Sequence, residues 1–221
     1  MFNQIRVRFN DWLAQKVFFP PPPLTQIQTE RLLLRDLEQA DVASIYAYRR
    51  DTQVMRYLDR TEPSTEQEVT LLVHAAREQS WHKSRAFYLL GIVLRDENRL
   101  IGECGLGLLF PNEDDAPADA AMIGFVLHPD YWGHGYATET ASALLRFAFV
   151  ELRCVCAYGG CLEENVASRR VLEKVGMTFQ GVQADFPGCP SGFDSLVFAV
   201  NQSEWMDQQE KAAQPEAADQ L

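Results

Sequence analysis

The chain has 221 residues, 47% of them hydrophobic, with a formal net charge of -11 and an isoelectric point near 4.8. The acidic balance excludes a generic binder of nucleic-acid phosphates, which needs a basic face. No run approaches the roughly 18 to 20 apolar residues of a membrane span, and the N-terminus lacks a secretory cleavage pattern. The five cysteines show no C-x-x-C pair and no nearby histidines, which predicts a reduced, metal-free, cytoplasmic protein.

The two ends differ in composition from the middle. Residues 1–24 place apolar side chains at helical spacing before a stiff run of four prolines, Pro20–Pro23. This extension either packs on its own domain, packs on a second subunit of a homodimer, or docks on a membrane surface or partner. Residues 203–221 are acidic and rich in Gln and Ala, which predicts a frayed or disordered tail. The domain between them spans residues 25–202.

The periodicity of apolar residues predicts alternating strands and helices in this domain. Gln26–Asp36 is predicted as one strand, followed by a helix through Val42 and Tyr46, a short helix near Val54, and a capped helix from Ser64 to about Lys83. The later predicted strands are Phe87–Leu94, Leu100–Phe110, Ala120–Leu127, Cys154–Tyr158, Met177–Val182 and Phe193–Val200. Two further helices are predicted at Ala137–Val150 and Asn165–Val175.

A glycine-containing turn separates the strand Ala120–Leu127 from the helix that follows it. Gly133 and Gly135 can adopt backbone angles that are closed to other residues, so successive N–H groups can face an anion. The partly positive N-terminus of the next helix points at the same spot. The pattern predicts a pyrophosphate site, although a tight strand-to-helix turn explains an isolated Gly-x-Gly equally well.

Two further motifs accompany this turn in the expected order. Thr29–Arg35 reads TERLLLR, and Asn165–Met177 reads NVASRRVLEKVGM. Together with the turn they resemble the GNAT acetyltransferase superfamily, in its RimJ/RimL-like branch, over about residues 25–200. The resemblance implies an α/β (mixed α+β) fold: a mostly antiparallel sheet of six to seven strands, flanked by helices and splayed at the acyl-CoA site. It also implies transfer of an acetyl group from acetyl-CoA to a primary amine, without a metal.

The resemblance implies a set of cofactor contacts around the glycine turn. The family motif normally begins with Gln or Arg, and Trp132 stands there instead. Backbone groups of the preceding strand are expected to pair with the pantetheine arm, and Asn165 to contact it while also capping its helix. His134 either adds a phosphate contact or has no role. The implied cofactor-binding residues are Val126, Leu127, Trp132, Gly133, His134, Gly135, Tyr136, Ala137, Thr138, Asn165 and Ser168.

This sequence lacks two catalytic residues that are common in the family it resembles. Met122 occupies the position of a common Glu base, and Leu172 that of a common Tyr acid. Ser168 is left as the acid for the departing thiolate, or as a small residue needed for close packing. Glu103 and Asp185 are the candidate bases, although Glu103 also fits an exposed strand position.

The sequence leaves the acceptor open. A weak base harms an α-amine acceptor least, which favours a protein N-terminus as the amine-bearing partner. A polyamine or antibiotic amine is the alternative within the same chemistry. A noncatalytic acyl-CoA-binding regulatory domain is the alternative from another class, because of Met122 and Leu172. A covalent cysteine route is disfavoured, since no cysteine in the motifs has a neighbouring histidine.

Overall fold

A computed structural model describes residues 26–58, 62–81, 85–109 and 119–213. The predictions for the N-terminal extension and the proline run lie outside these residues. The described strands are β1 (Gln26–Gln28), β2 (Leu32–Asp36), β3 (Phe87–Leu94), β4 (Arg99–Leu109), β5 (Ala120–Leu127), β6 (Cys156–Leu162), β7 (Thr178–Ala184) and β8 (Asp194–Asn201). The helices are α1 (Val42–Arg49), α2 (Thr52–Met55), α3 (Glu66–Ser80), α4 (Tyr136–Arg146), α5 (Val166–Lys174) and α6 (Gln202–Ala213).

The strands form one mixed sheet in the order β1-β2-β3-β4-β5-β6-β8-β7. All neighbouring pairs are antiparallel except β5 and β6, which run parallel because α4 crosses between them. The predicted mixed, mostly antiparallel fold is confirmed, with one strand more than expected. The extra strand arises because Gln26–Asp36 is a hairpin. Its turn is closed by Thr29, whose N–H donates to the Leu32 carbonyl and whose hydroxyl oxygen accepts from the Leu32 N–H.

Apolar side chains bury both faces of this sheet. On one face α4, α5 and α6 cover a large core that includes Leu34, Ile92, Leu106 and Leu144. On the other face α1 and α3 cover a smaller core around Ile45 and Val73. Both faces of the central strands are therefore apolar, which explains their near-continuous hydrophobic sequences.

Part of the predicted C-terminal tail is a helix. Residues 202–213 form α6, and its Trp205 is 5% exposed and packs on Phe149 with ring centroids 5.6 Å apart. The Gln202 amide donates to the Phe149 carbonyl at 2.8 Å, and the partly buried Met206 packs on the same core. Of the two predicted alternatives, a frayed helix or a disordered tail, the helix is the one that the structure shows up to residue 213.

The sheet opens between β5 and β6. Their parallel pairing covers only three residue pairs and ends at Met122 with Tyr158. Beyond that point β5 continues along β4, whereas β6 continues along β8 to Leu162. The two strands therefore diverge toward their carboxyl ends, and the predicted splay is confirmed.

Candidate active site

The glycine turn lies at the mouth of this opening. Gly133 and Gly135 have φ angles of +79° and +82°, as predicted from their freedom from side-chain strain. Gly135 is the N-cap of α4, so the N–H groups of the first helical turn have no intrahelical acceptors. The indole N–H of Trp132 donates to the Leu127 carbonyl at 2.9 Å and ties the turn to the end of β5. The arrangement presents backbone donors and a helix N-terminus to one point.

The backbone of Val126 points in a different direction from the one predicted. The His128 N–H donates to the Ile101 carbonyl of the β4 chain, and an added Cβ on Gly102 would collide with the Val126 carbonyl. Val126 therefore directs its backbone toward β4, because successive strand residues alternate in direction. Phe125 and Leu127 face the opening instead, and the Leu127 carbonyl already accepts the Trp132 indole.

The second predicted motif stands across the opening from the turn. The Asn165 side chain accepts the Ser168 N–H at 3.2 Å and caps α5, as its residue type predicts. Ser168 is half-buried in the first turn of this helix. Leu172 is 1% exposed, and one of its methyl groups lies 2.6 Å from an added Cβ on Gly159. Leu172 thus packs α5 tightly onto β6 and has no acid–base function.

A glycine forms the floor of the cleft on the face covered by α1 and α3. Gly124 lies in the middle of β5, is exposed, and has no atom within 4 Å of an added Cβ. Its partner on β4 is Gly105, which lies under the ring of Phe87. A bare central strand next to the opening leaves room for a reacting group. Sequence reasoning missed Gly124, since a lone strand glycine carries little signal.

The candidate base Glu103 is not a free strand-face carboxylate. It is 2% exposed and forms an ion pair with Arg49 of α1, in which Nε donates to Oε1 at 2.6 Å and Nη2 contacts the same oxygen. Oε2 is buried without a hydrogen-bond partner among the described residues. The neighbouring Tyr48 has its pKa raised well above the usual value, because burial and the Glu103 charge both oppose its ionisation.

The other candidate base, Asp185, serves the loop between β7 and β8. It has a left-handed backbone with φ of +52°, and its carboxylate accepts the Gly192 N–H at 2.8 Å. Its own N–H donates to the Phe193 carbonyl at 3.3 Å. Asp185 therefore closes the loop that carries Phe186 over Gly160, which gives this carboxylate a structural task the sequence did not reveal.

A contact at the opening was also missed by sequence reasoning. The hydroxyl of Tyr57, just after α2, donates to the Glu164 carbonyl at 3.3 Å in the loop before α5. The two residues come from segments on either side of the cleft, 107 positions apart. This bridge joins the helical cover of the sheet to the loop beside Asn165.

Arg31 is the third site residue without a sequence-based assignment. It follows the β1–β2 turn, and its Nη1 donates to the His134 carbonyl within the glycine turn at 3.0 Å. Its Nε and Nη2 both lie 2.7 Å from Oε2 of Glu139 in the first turn of α4. The motif TERLLLR contained the signal, but its partners lie more than 100 positions away.

None of the helices within residues 26–58, 62–81, 85–109 and 119–213 is both long and apolar enough to cross a lipid bilayer. Within the same ranges, no group of three or more His, Cys, Asp or Glu side chains is arranged to hold a metal ion.

The turn, the opening and the motif helix have counterparts in known proteins. Residues 31–178 match the GNAT acetyltransferase domain. The chain is 32% identical to the uncharacterized N-acetyltransferase YnaD of Bacillus subtilis, over 81% of this chain and 98% of that protein. A GNAT-family acetyltransferase structure from Bacillus anthracis is 28% identical and superposes with a TM-score of 0.68, covering 81% and 99% of the two chains.

A more distant structure shows the same fold with a ligand. RimL, a ribosomal L7/L12 alpha-N-protein acetyltransferase solved in complex with coenzyme A, superposes with a TM-score of 0.67 at 17% identity, covering 80% of this chain and 98% of that one. The family match covers well over half of the chain. The chain therefore belongs to the GNAT family of N-acetyltransferases.

Proposed function

We propose that this protein transfers the acetyl group of acetyl-CoA to a primary α-amine, such as a protein N-terminus, by direct attack on the thioester. The observation that carries the proposal is the opening between β5 and β6, with the glycine turn at its mouth and Gly124 on its floor. A phosphate site and a bare reaction surface at one opening suit a long, thin thioester with a charged end.

The glycine turn supplies the cofactor half of the site. Backbone N–H groups from Gly133 to Thr138 would hold the pyrophosphate, with the Trp132 and Tyr136 rings flanking it. His134 stacks on Tyr136 with ring centroids 5.8 Å apart, which supports a phosphate contact by His134 in the same site. The backbones of Phe125 and Leu127 and the Asn165 amide would line the path of the pantetheine arm.

Ser168 is the proposed acid for the departing thiolate. The neutral amine attacks the carbonyl carbon, the C–N bond forms, and the C–S bond breaks. The Ser168 hydroxyl then gives its proton to sulfur and is reprotonated from the amine through solvent. The half-buried position of Ser168, one turn into α5, supports this assignment.

The engagement of Glu103 and Asp185 in other contacts favours an acceptor amine that loses its proton without a strong general base. Glu103 is held by Arg49 and Asp185 by the Gly192 N–H, so we assign each of them at most a proton relay through water. An α-amino group with a pKa near 8 is about one-tenth neutral at pH 7, whereas a lysine amine near 10.4 is neutral about four parts in ten thousand. This difference of roughly 250-fold in reactive amine is the reason for proposing an α-amine.

The test is a matched panel of acceptors with the purified full chain. We expect a peptide with a free N-terminus to be acetylated with a kcat/KM at least about tenfold above that of an N-terminally blocked, lysine-containing peptide at pH 7. Mass spectrometry would locate the acetyl group. A preference for spermidine or an aminoglycoside would instead establish the small-molecule alternative. Coenzyme A binding without acetylation of any acceptor would support the noncatalytic alternative.

Replacing Gly135 with alanine tests the cofactor half. A left-handed backbone costs a residue with a Cβ about 1 to 2 kcal/mol, so the turn should relax away from its binding conformation. The expected result is a rise of about tenfold in the dissociation constant for coenzyme A, measured by calorimetry. Gly188 has a similar φ of +85° in the β7–β8 loop, and Gly188→Ala is the matched control. Equal affinity in Gly135→Ala and wild type would contradict the assignment.

A further inference from the structure

Glu139 is surrounded by donors from one short turn. The Thr29 hydroxyl donates to Oε1 at 2.6 Å, and the Arg31 N–H donates to the same oxygen at 2.9 Å. The Arg31 guanidinium holds Oε2 through Nε and Nη2, both at 2.7 Å. Partial burial disfavours the charged carboxyl, but these donors outweigh it and lower the pKa of Glu139. Thr29, Arg31 and Glu139 are called the Glu139 cluster below.

Arg31 extends from this cluster into the glycine turn. Its Nη1 donates to the His134 carbonyl, and its guanidinium lies 4.6 Å from the centroid of the Tyr136 ring. Its Nη2 lies 3.5 Å from an added Cβ on Gly135, between these two contacts. One side chain thus contacts His134 and Tyr136, the two residues on either side of Gly135, which fixes the turn's shape before any ligand arrives.

The backbone around Arg31 is itself fixed to the sheet. The guanidinium of Arg95, in the β3–β4 turn, donates to the carbonyls of Thr29 and Glu30 at 2.8 and 2.7 Å. The Arg95 N–H donates to the Arg31 carbonyl at 3.0 Å. The position of the arginine is therefore set by two hairpins of the sheet, whereas the glycine turn alone has flexible residues at both of its left-handed positions.

We propose that Arg31 is a positioning residue for the pyrophosphate turn, with two physical effects. It holds Gly133–Tyr136 in the conformation that presents their N–H groups, which lowers the entropy lost on binding. It also neutralises Glu139, whose carboxylate lies in the first turn of α4 and would otherwise repel the phosphates bound at that helix N-terminus. The inference rests on the cofactor half of the proposed function and is independent of the acceptor.

The test compares a thioester that carries the pyrophosphate with one that lacks it. We expect Arg31→Ala to lower kcat/KM for acetyl-CoA by about tenfold to thirtyfold, and kcat/KM for S-acetylpantetheine by less than about twofold, because only the first substrate uses the turn. Arg31→Lys should lie between wild type and Arg31→Ala, since an ammonium group cannot contact Glu139 and His134 in the same way. Calorimetry of coenzyme A should give the same ranking.

A double variant separates the two effects. Adding Glu139→Gln to Arg31→Ala removes the unpaired carboxylate and should recover about threefold of the lost affinity for coenzyme A. Arg146→Ala is the matched control, because it removes an exposed arginine from the opposite end of α4. Melting curves of every variant check that the chain remains folded.

Two outcomes would overturn the positioning role of Arg31, and a third would contradict the proposed function. An equal loss for acetyl-CoA and S-acetylpantetheine would reduce Arg31 to a general structural residue and overturn the inference. Wild-type affinity in Arg31→Ala would overturn it as well. A wild-type chain that binds no coenzyme A would contradict the proposed function itself, which distinguishes that failure from a failure of the role of Arg31.

Discussion

Replacing Arg49 with alanine is expected to lower the free energy of unfolding by about 3 to 5 kcal/mol. The substitution leaves the Glu103 carboxylate, which is 2% exposed, without its positive partner in the middle of β4. The cost of an uncompensated buried charge is far larger than that of losing a surface ion pair. Urea unfolding followed by circular dichroism would measure the change.

Two comparison variants make this result interpretable. Combining Arg49→Met with Glu103→Leu removes both charges at similar volume and should restore most of the lost stability. Arg169→Ala breaks the exposed pair between Arg169 and Glu173 on α5, 2.8 Å apart, and should change the stability far less than Arg49→Ala does. A destabilisation by Arg49→Ala no greater than that of Arg169→Ala would show that Glu103 does not depend on its partner.

Replacing Gly124 with leucine should abolish most of the activity without unfolding the chain. An added Cβ at Gly124 meets no atom within 4 Å, so the first atom of a new side chain creates no clash in the free protein. The larger side chain would occupy the floor of the cleft, where the proposed function requires the amine and thioester to meet within about 3 to 3.5 Å. The expected result is a fall of at least about a hundredfold in kcat/KM, with the free energy of unfolding changed by less than about 1 kcal/mol.

Gly124→Ala is the graded control for this variant. It adds a single methyl group to the open floor and should retain more activity than leucine while matching its stability. Calorimetry with coenzyme A would show whether the loss lies in binding or in the approach of the acceptor. Full activity in Gly124→Leu would show that the reacting groups meet elsewhere on the sheet.

The backbone geometry of the proposed cofactor half could be predicted from the sequence because its determinants are local. Gly133 and Gly135 act through their own backbone angles, and Asn165 through a bond to a residue three positions away. The splay followed from the family resemblance and is confirmed by the three-residue pairing of β5 with β6. Element types were predicted well wherever apolar periodicity was long and regular.

The remaining features depend on partners that are distant in sequence. Glu103 reads as a polar interruption of a strand until α1 places Arg49 beside it, 54 positions earlier. Arg31 similarly requires Glu139, 108 positions later. The β1–β2 turn was missed because TERLLLR alternates like a single strand. The helix α6 was predicted only as a frayed alternative to disorder, because Trp205 and Met206 are its only large apolar residues. No local pattern encodes which of these side chains will meet.

The divergence of β5 from β6 gives this sheet a third edge, inside the fold. At the outer edge of the sheet formed by β7, a bulge between Phe179 and Gly181 interrupts the strand, a feature that discourages pairing with another chain. The inner edge is protected by its shape, because the wedge narrows to hydrogen-bonding distance at Met122. A flat strand from another protein would meet the end of the gap where β5 and β6 pair, whereas a slender extended ligand can lie along the gap. The same geometry that opens a cleft therefore keeps the exposed backbone from becoming a site of aggregation.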